Sequence, residues 1–227
     1  DPSSLDFRIW VAWHDSDDHL FLAMELVDDF VNERTYDRSD RGGLRGSDLS
    51  VAIGVDGDRS GGNLLVDNEA GLTYPMEQAQ WYEAFPGTFD NDNNLLLRSV
   101  SRHTDWVHKP PYADGGGAMI DSEPSFGVVE VYVTPFDRLI WDDQAQSIVS
   151  NLFPGKTIGF SIQIVDVDDT NEFESSPGLF GIEDGWEQGG FNDSDLWARG
   201  ILIKAGSTED SAVTGVSWAR IKASLSK

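Results

Sequence analysis

Apolar and polar residues alternate along much of this chain, and the alternation has the period of strands. In residues 7–13, Phe7, Ile9, Val11 and Trp13 fall on one face, the period-two signature of a half-buried strand. Residues 19–27 resume the pattern after the acidic turn Asp15-Ser-Asp-Asp18, so the two runs predict an antiparallel hairpin. Residues 48–55 form a third strand with Leu49, Val51, Ile53 and Val55 facing one way. Residues 128–133, 158–165, 200–204 and 216–222 read as four more. Helical signals are sparse: residues 147–153 allow one or two turns before Pro154-Gly155 stops them, and residues 75–82 read better as a strand than as a helix. Three intervals carry little regular pattern: about 56–75, about 101–127 with Pro110-Pro111 and Gly115-Gly-Gly117, and about 166–196. Short strands joined by Gly- and Asp-rich connections predict an all-β protein, an antiparallel β-sandwich of jelly-roll or immunoglobulin-like type with long acidic loops. Neither half looks able to fold alone, so residues 1–227 are expected to form one domain, closed by a strand at about 211–222.

Composition supports a folded chain and narrows its chemistry. A length of 227 residues with 8 Trp is enough for a sizeable core. The absence of cysteine excludes a disulfide framework, a thiolate metal site and a thiol nucleophile. It leaves the redox compartment open. No apolar run reaches the roughly 18 residues of a spanning helix, and no signal-peptide pattern is visible. The opening at Asp1-Pro2, just ahead of a strand, reads as a mature or trimmed start.

Charge changes the picture most. Against 16 Lys and Arg stand 40 Asp and Glu, a net charge of −24. Such a surface repels phosphate backbones and anionic lipid, which makes nucleic acid and acidic membranes poor partners. It also opposes compaction unless cations relieve it. A salt-adapted or simply soluble surface explains the acids equally well, so local motifs must decide whether some of them hold Ca²⁺.

The sharpest such motif is Asp56-Gly-Asp-Arg-Ser-Gly-Gly62, placed directly after a strand. Oxygens at Asp56, Asp58 and Ser60, with glycines for a tight turn, suit a hard cation that takes about six to eight oxygen ligands. It is not an EF-hand, because Asp67 stands where that loop needs its closing Glu. An Asx-type turn is the metal-free alternative. Asp166 and Asp168, in Asp166-Val-Asp-Asp169 at the end of another strand, are a second candidate pair. Asp90-Asn-Asp-Asn-Asn94 and Asp28-Asp29 read first as solvated loops. Trp81, Tyr82, Trp106, Tyr112 and Trp186 lie in or beside loop-like sequence and are candidates to stack on sugar rings; loops folded over the core are the alternative. Trp10, Trp13, Trp197 and Trp218 fall in or near strand patterns and are expected to pack. Catalysis finds little support: His14, His19, His103 and His108 lack metal-ligand spacing, and no nucleophile elbow or phosphate-cradling loop occurs.

Several of these segments follow a known order. Arg8-Ile-Trp-Val-Ala-Trp-His14, Leu20-Phe-Leu-Ala-Met-Glu-Leu-Val-Asp-Asp29 and Asp48-Leu-Ser-Val-Ala-Ile-Gly-Val-Asp56 resemble the family 9 carbohydrate-binding modules and the wider group of sugar- and haem-binding sandwich domains. Val128-Val-Glu-Val-Tyr-Val-Thr-Pro-Phe136, Lys156-Thr-Ile-Gly-Phe-Ser-Ile-Gln-Ile-Val-Asp-Val-Asp-Asp169 and residues 186–202 are similar to later segments of the same modules, and the resemblance covers about residues 1–204. It implies a sandwich, structural Ca²⁺ and an extracellular, cell-surface or periplasmic, non-catalytic domain that binds a polysaccharide or other glycan in a loop-lined slot. Trp186 matches one of the two rings that enclose a sugar there. The other falls where this chain has Leu44-Arg45-Gly46-Ser47, leaving Trp81, Trp106 or Tyr112 as the replacement ring and Arg45 as a polar contact. The alternative is a structural or adhesive surface or filament subunit on the same fold, with self-association. A haem-binding domain using Met24, Met76 or Met119 ranks below it, and a glycosidase ranks last.

Overall fold

Ten residue pairs, from Leu5 opposite Asp28 to His14 opposite His19, join strands β1 (Leu5–His14) and β2 (His19–Asp28) in one unbroken antiparallel register. This is the hairpin that the alternation predicts. Its acidic turn holds Asp18 at a positive φ of 51°, a conformation Asp tolerates better than most residues. The Asp18 carboxylate also accepts the Leu152 N–H at 2.7 Å, tying the turn to a distant segment. The structure is a computed structural model that describes residues 5–14, 16–29, 50–59, 79–86, 95–99, 106–120, 123–140, 143–166, 178–181, 194 and 197–204.

The remaining strands are β3 (Val51–Asp56), β4 (Ala79–Pro86), β5 (Leu95–Ser99), β6 (Ala113–Ile120), β7 (Ser125–Val133), β8 (Phe136–Arg138), β9 (Ile148–Val149), β10 (Thr157–Asp166), β11 (Gly178–Gly181) and β12 (Ala198–Ile201). The first sheet runs β1-β2-β7-β6. The second runs β11-β10-β3-β4-β5, with β12 also pairing β10; β8 and β9 form a separate ribbon. The fold is an all-β, antiparallel sandwich, as the sequence leads one to expect.

The core lies between the two sheets. Leu20, Leu22, Met24 and Leu26 of β2 and Val129, Val131 and Val133 of β7 face Val51, Ile53 and Val55 of β3 and Ile158, Phe160, Ile162 and Ile164 of β10. Each such side chain contributes about 1.5–3 kcal/mol by leaving water. Met24 is fully buried here, in keeping with a core residue and not a haem ligand. One polar cluster interrupts the hydrocarbon. Gln80 Nε2 donates to the Tyr82 hydroxyl at 2.6 Å and to the Thr134 carbonyl at 2.9 Å, and its Oε1 accepts the Phe136 N–H at 3.0 Å. Burial pushes the Tyr82 phenol well above its ordinary pKa, so it stays neutral in that setting.

Several local expectations need correction. Residues 147–153 form no helix: a single 3-10 turn at Gln144–Gln146, capped by the Asp143 carboxylate, precedes the extended pair Ile148–Val149. Two adjacent β-branched residues favour extension, and a segment this short cannot meet the cost of helix nucleation. The interval 101–127 contains β6, which runs straight through Gly115-Gly-Gly117. A Cβ on Gly115 would stand 2.5 Å from the Glu130 carbonyl oxygen, so close strand approach requires glycine there. β5 and β11 are likewise strands that the pattern misses. The closing strand expected at about 211–222 lies outside the described residues.

Candidate functional site

Registers across β10, β3 and β4 define the outward face of the second sheet, the face turned away from the core. Gln163, Ala52 and Glu83 form one cross-strand row; Ser161, Gly54 and Trp81 form the next; Gly159, Asp56 and Ala79 form the third. The central strand therefore carries small residues at Ala52 and Gly54, and larger polar or aromatic side chains rise on both sides. The result is a trough. Gln163 and Glu83 stand two strand spacings apart, about 10 Å between backbones, on either side of Ala52.

An outward sheet face normally meets water, and its polar residues then need no explanation. Here Glu83 is 1%, Gln163 2% and Ser161 0% exposed. Ser161 Oγ has no hydrogen-bond partner among the described residues. A buried orphan hydroxyl costs about 1–3 kcal/mol. Natural chains keep few such groups, and those they keep call for a structural or functional reason.

One end of the trough is already filled. Trp197, just before β12, lies over Gly54, and a Cβ on Gly54 would meet three of its ring atoms at 2.8–3.0 Å. Its ring centroid is 5.9 Å from that of Trp81. Glycine at position 54 is what lets an indole sit directly on the sheet. The row of Gln163, Ala52 and Glu83 is covered as well, at 2%, 0% and 1% exposure.

The predicted site residues are scattered by this architecture. Trp81 is in mid-strand, not in a loop, and is only 1% exposed beneath Trp197. It therefore lines the trough from within and offers no open face for stacking. Trp106 and Tyr112 are half-buried and lie on the core side, packed on Phe136 with ring centroids 5.5 and 5.4 Å away. Tyr112 Oη accepts a hydrogen bond from Gln144 Nε2 at 3.0 Å. These two rings cap the core and are not brought together with Trp81. Trp186 and Arg45 lie outside the described residues. Sequence reasoning passed over Glu83, Gln163 and Ser161 because each occupies a polar position on an alternating or buried strand. Gln163 alone carried a signal, as the amide in the Ile158–Val165 stretch that resembles the family pattern.

Asp56 belongs to the same outward face. It is fully buried, and its Oδ1 accepts the Arg59 N–H at 2.8 Å. Arg59 has a positive φ of 58°. That is an Asx-type turn, the metal-free geometry weighed for this motif. Asp58 is exposed, and no three acidic or imidazole groups converge on a common point among the described residues. Completing an ion site at Asp56 would need Ser60, Asp166 and Asp168. Ser60 and Asp168 lie outside the described residues, and only the backbone of Asp166 is described.

Comparison with known proteins bears on the architecture. No protein-family model matches the chain, and no curated protein matches it. Among solved structures it is similar to a family 9 carbohydrate-binding module from Caldicellulosiruptor kristjanssonii in complex with cellotriose, at 11% identity and a TM-score of 0.55, over 92% of this chain and 80% of that one. The fold is that of a family 9 carbohydrate-binding module. A putative carbohydrate-binding protein from Bacteroides uniformis also aligns, at 12% identity over 79% of this chain and 70% of that one. Its TM-score of 0.37 is too low to argue from. An identity of 11% speaks for the fold alone.

Proposed function

We propose that the chain is a non-catalytic, extracellular glycan-binding module whose site is the trough on the outward face of the second sheet. The observation that carries this reading is the buried polar row of Glu83, Gln163 and Ser161 beside a floor of Ala52 and Gly54. A pyranose presents hydroxyl donors and acceptors around its rim and apolar C–H faces above and below. A carboxylate, an amide and a serine hydroxyl suit the rim, and an indole suits a face. A carboxylate can accept from two hydroxyls, and an amide can both donate and accept. In the module from Caldicellulosiruptor kristjanssonii the bound sugar is cellotriose, so β-linked gluco-oligosaccharides are the first ligands to try. Trp186 is the ring assigned to stack on the sugar, with Arg45 as a further polar contact. Ca²⁺ enters this reading as a stabilising ion at Asp56 and its neighbours, not as a reactant.

Affinity electrophoresis through gels containing soluble polysaccharides tests the reading. A neutral glucan should retard the parent protein, and the Trp186→Ala variant should run unretarded. Parent protein that no glycan retards would remove the glycan reading. A Trp186→Ala variant retarded as strongly as the parent would remove Trp186 from the site.

A further inference from the structure

Strand β1 is an edge strand: among the described residues it pairs with β2 alone. Edge strands usually carry lysines, prolines, bulges or short lengths that discourage a second chain from pairing. β1 has none of these. It runs ten residues in unbroken register with β2, and its middle, Ile9-Trp10-Val11-Ala12, is uncharged. Trp10 and Val11 point to opposite faces, yet they are 37% and 41% exposed. Val11 belongs to the inward row of Phe7, Ile9 and Trp13, so its exposure means that the core stops short of this edge.

The flank beside it is apolar as well. Trp13 Nε1 donates to the Ile203 carbonyl at 2.8 Å, which seats the segment after β12 against the end of β1. The Gly155 N–H donates to the Leu202 carbonyl at 2.7 Å, bringing Phe153 to the same side. Phe153, Ile201 and Ile203 are 49%, 65% and 50% exposed. In a chain of net charge −24, this is an unusual concentration of bare hydrocarbon.

We propose that two copies of this chain pair antiparallel along β1, making one continuous sheet across a two-fold axis beside Trp10. The proposal is independent of the sugar reading. The strand is self-complementary in that register. On the outward face Trp10 meets Trp10, Asp6 meets His14 and Arg8 meets Ala12 of the second copy. On the inward face Ile9 meets Val11 and Phe7 meets Trp13, which covers the exposed Val11 side chain. Arg8 is then diagonal to the second copy's Trp10, within reach of a cation–π contact. Such an isologous contact closes as a dimer and leaves no further β1 edge open.

Two charges of −24 repel at long range, so pairing should strengthen as salt shortens the screening length to about 3 Å near 1 M. Light scattering across a salt series should show the mass doubling. The register has its own test, because the chain contains no cysteine. A Trp10→Cys variant should form a disulfide-linked dimer under mild oxidation, whereas Ala118→Cys, exposed on β6 of the same face, should not. An Ala12→Lys variant places its lysine against the second copy's Arg8. It should weaken the dimer about tenfold, although it lowers the overall negative charge. A parent protein that stays monomeric at every salt concentration would overturn the proposal. So would equal cross-linking at positions 10 and 118, or an Ala12→Lys variant that dimerises more tightly in line with its reduced charge.

Discussion

The two sheets treat their outward faces in opposite ways. On the first sheet, Arg8, Trp10, Ala12, His14, Asp114, Ala118 and Ile120 stand exposed. On the second, Gln163, Ser161, Glu83 and Trp81 face outward from inner strands and are almost fully buried. The outward residues of the first sheet's inner strands, such as Phe21, Glu25, Glu130 and Tyr132, are half-buried. Both faces arise from the same period-two alternation, and both carry indole rings and carboxylates. The difference shows that alternation fixes which side of a sheet a residue takes, while what lies above that side decides its energetics. A carboxylate on an open face costs nothing. The same group on a covered face is retained against a desolvation cost.

Substitutions on the two faces should therefore differ in size. Trp81→Ala should destabilise the fold by about 3–5 kcal/mol, the range for deleting a buried large aromatic. Ile120→Ala, on the open face of the first sheet and away from β1, should stay within about 0.5 kcal/mol, as surface changes do. Chemical denaturation of the two variants side by side checks the pair, and equal losses would erase the distinction between the faces. Calcium comes next in size. If Asp56 and its neighbours hold an ion, saturating Ca²⁺ should add about 2.7 kcal/mol at a hundredfold excess over Kd relative to EGTA. Melts at fixed ionic strength read this directly, and a shift no larger than that of matched NaCl would mark the acids as surface charge alone. Gly54→Ala should cost about 1–3 kcal/mol, because its methyl group must displace the Trp197 ring from the trough.

The smallest effect belongs to the first sheet and to pH. His19 stacks on Tyr132 at 4.4 Å and packs edge-on to Phe21 at 5.9 Å. Desolvation lowers its pKa below the ordinary 6.5, outweighing Asp17, the Pro111 backbone and Asp18, which raise it, while His14 lowers it a little further. The folded state thus disfavours the proton that the unfolded chain takes up near pH 6.5. Stability from this group is complete above that pH and falls as pH drops through 6.5 toward the lower folded-state value. The drop should be smaller in His19→Gln, as pH-dependent melts between about 7.5 and 5 would show.

How far the sequence could be read follows from the same contrast. The β1–β2 hairpin and the inward rows of β3, β7 and β10 were legible because apolar residues recur at every second position on the core side. β4 was only partly legible: residues 75–82 read as a strand, but Ala79 to Phe85 are all buried, so no alternation fixed its bounds or set Trp81 in its middle. β6 was hidden because glycines that serve close strand approach look like loop residues. The trough was least legible. Ala52, Gly54, Ser161, Gln163 and Glu83 are the small and polar residues that a period-two pattern assigns to solvent. Only register and burial together reveal that they share one covered face.

The central claim is that the covered face of the second sheet is the ligand face. The most direct test is calorimetric titration of one β-linked gluco-oligosaccharide into three proteins: the parent, Gln163→Ala and Trp10→Ala. The account predicts measurable binding by the parent and at least about a tenfold loss in Gln163→Ala, since a lost hydrogen bond in a dry site costs about 1–3 kcal/mol. Trp10→Ala should bind as the parent does. Full affinity in Gln163→Ala together with loss in Trp10→Ala would contradict it and move the sugar to the open face of the first sheet.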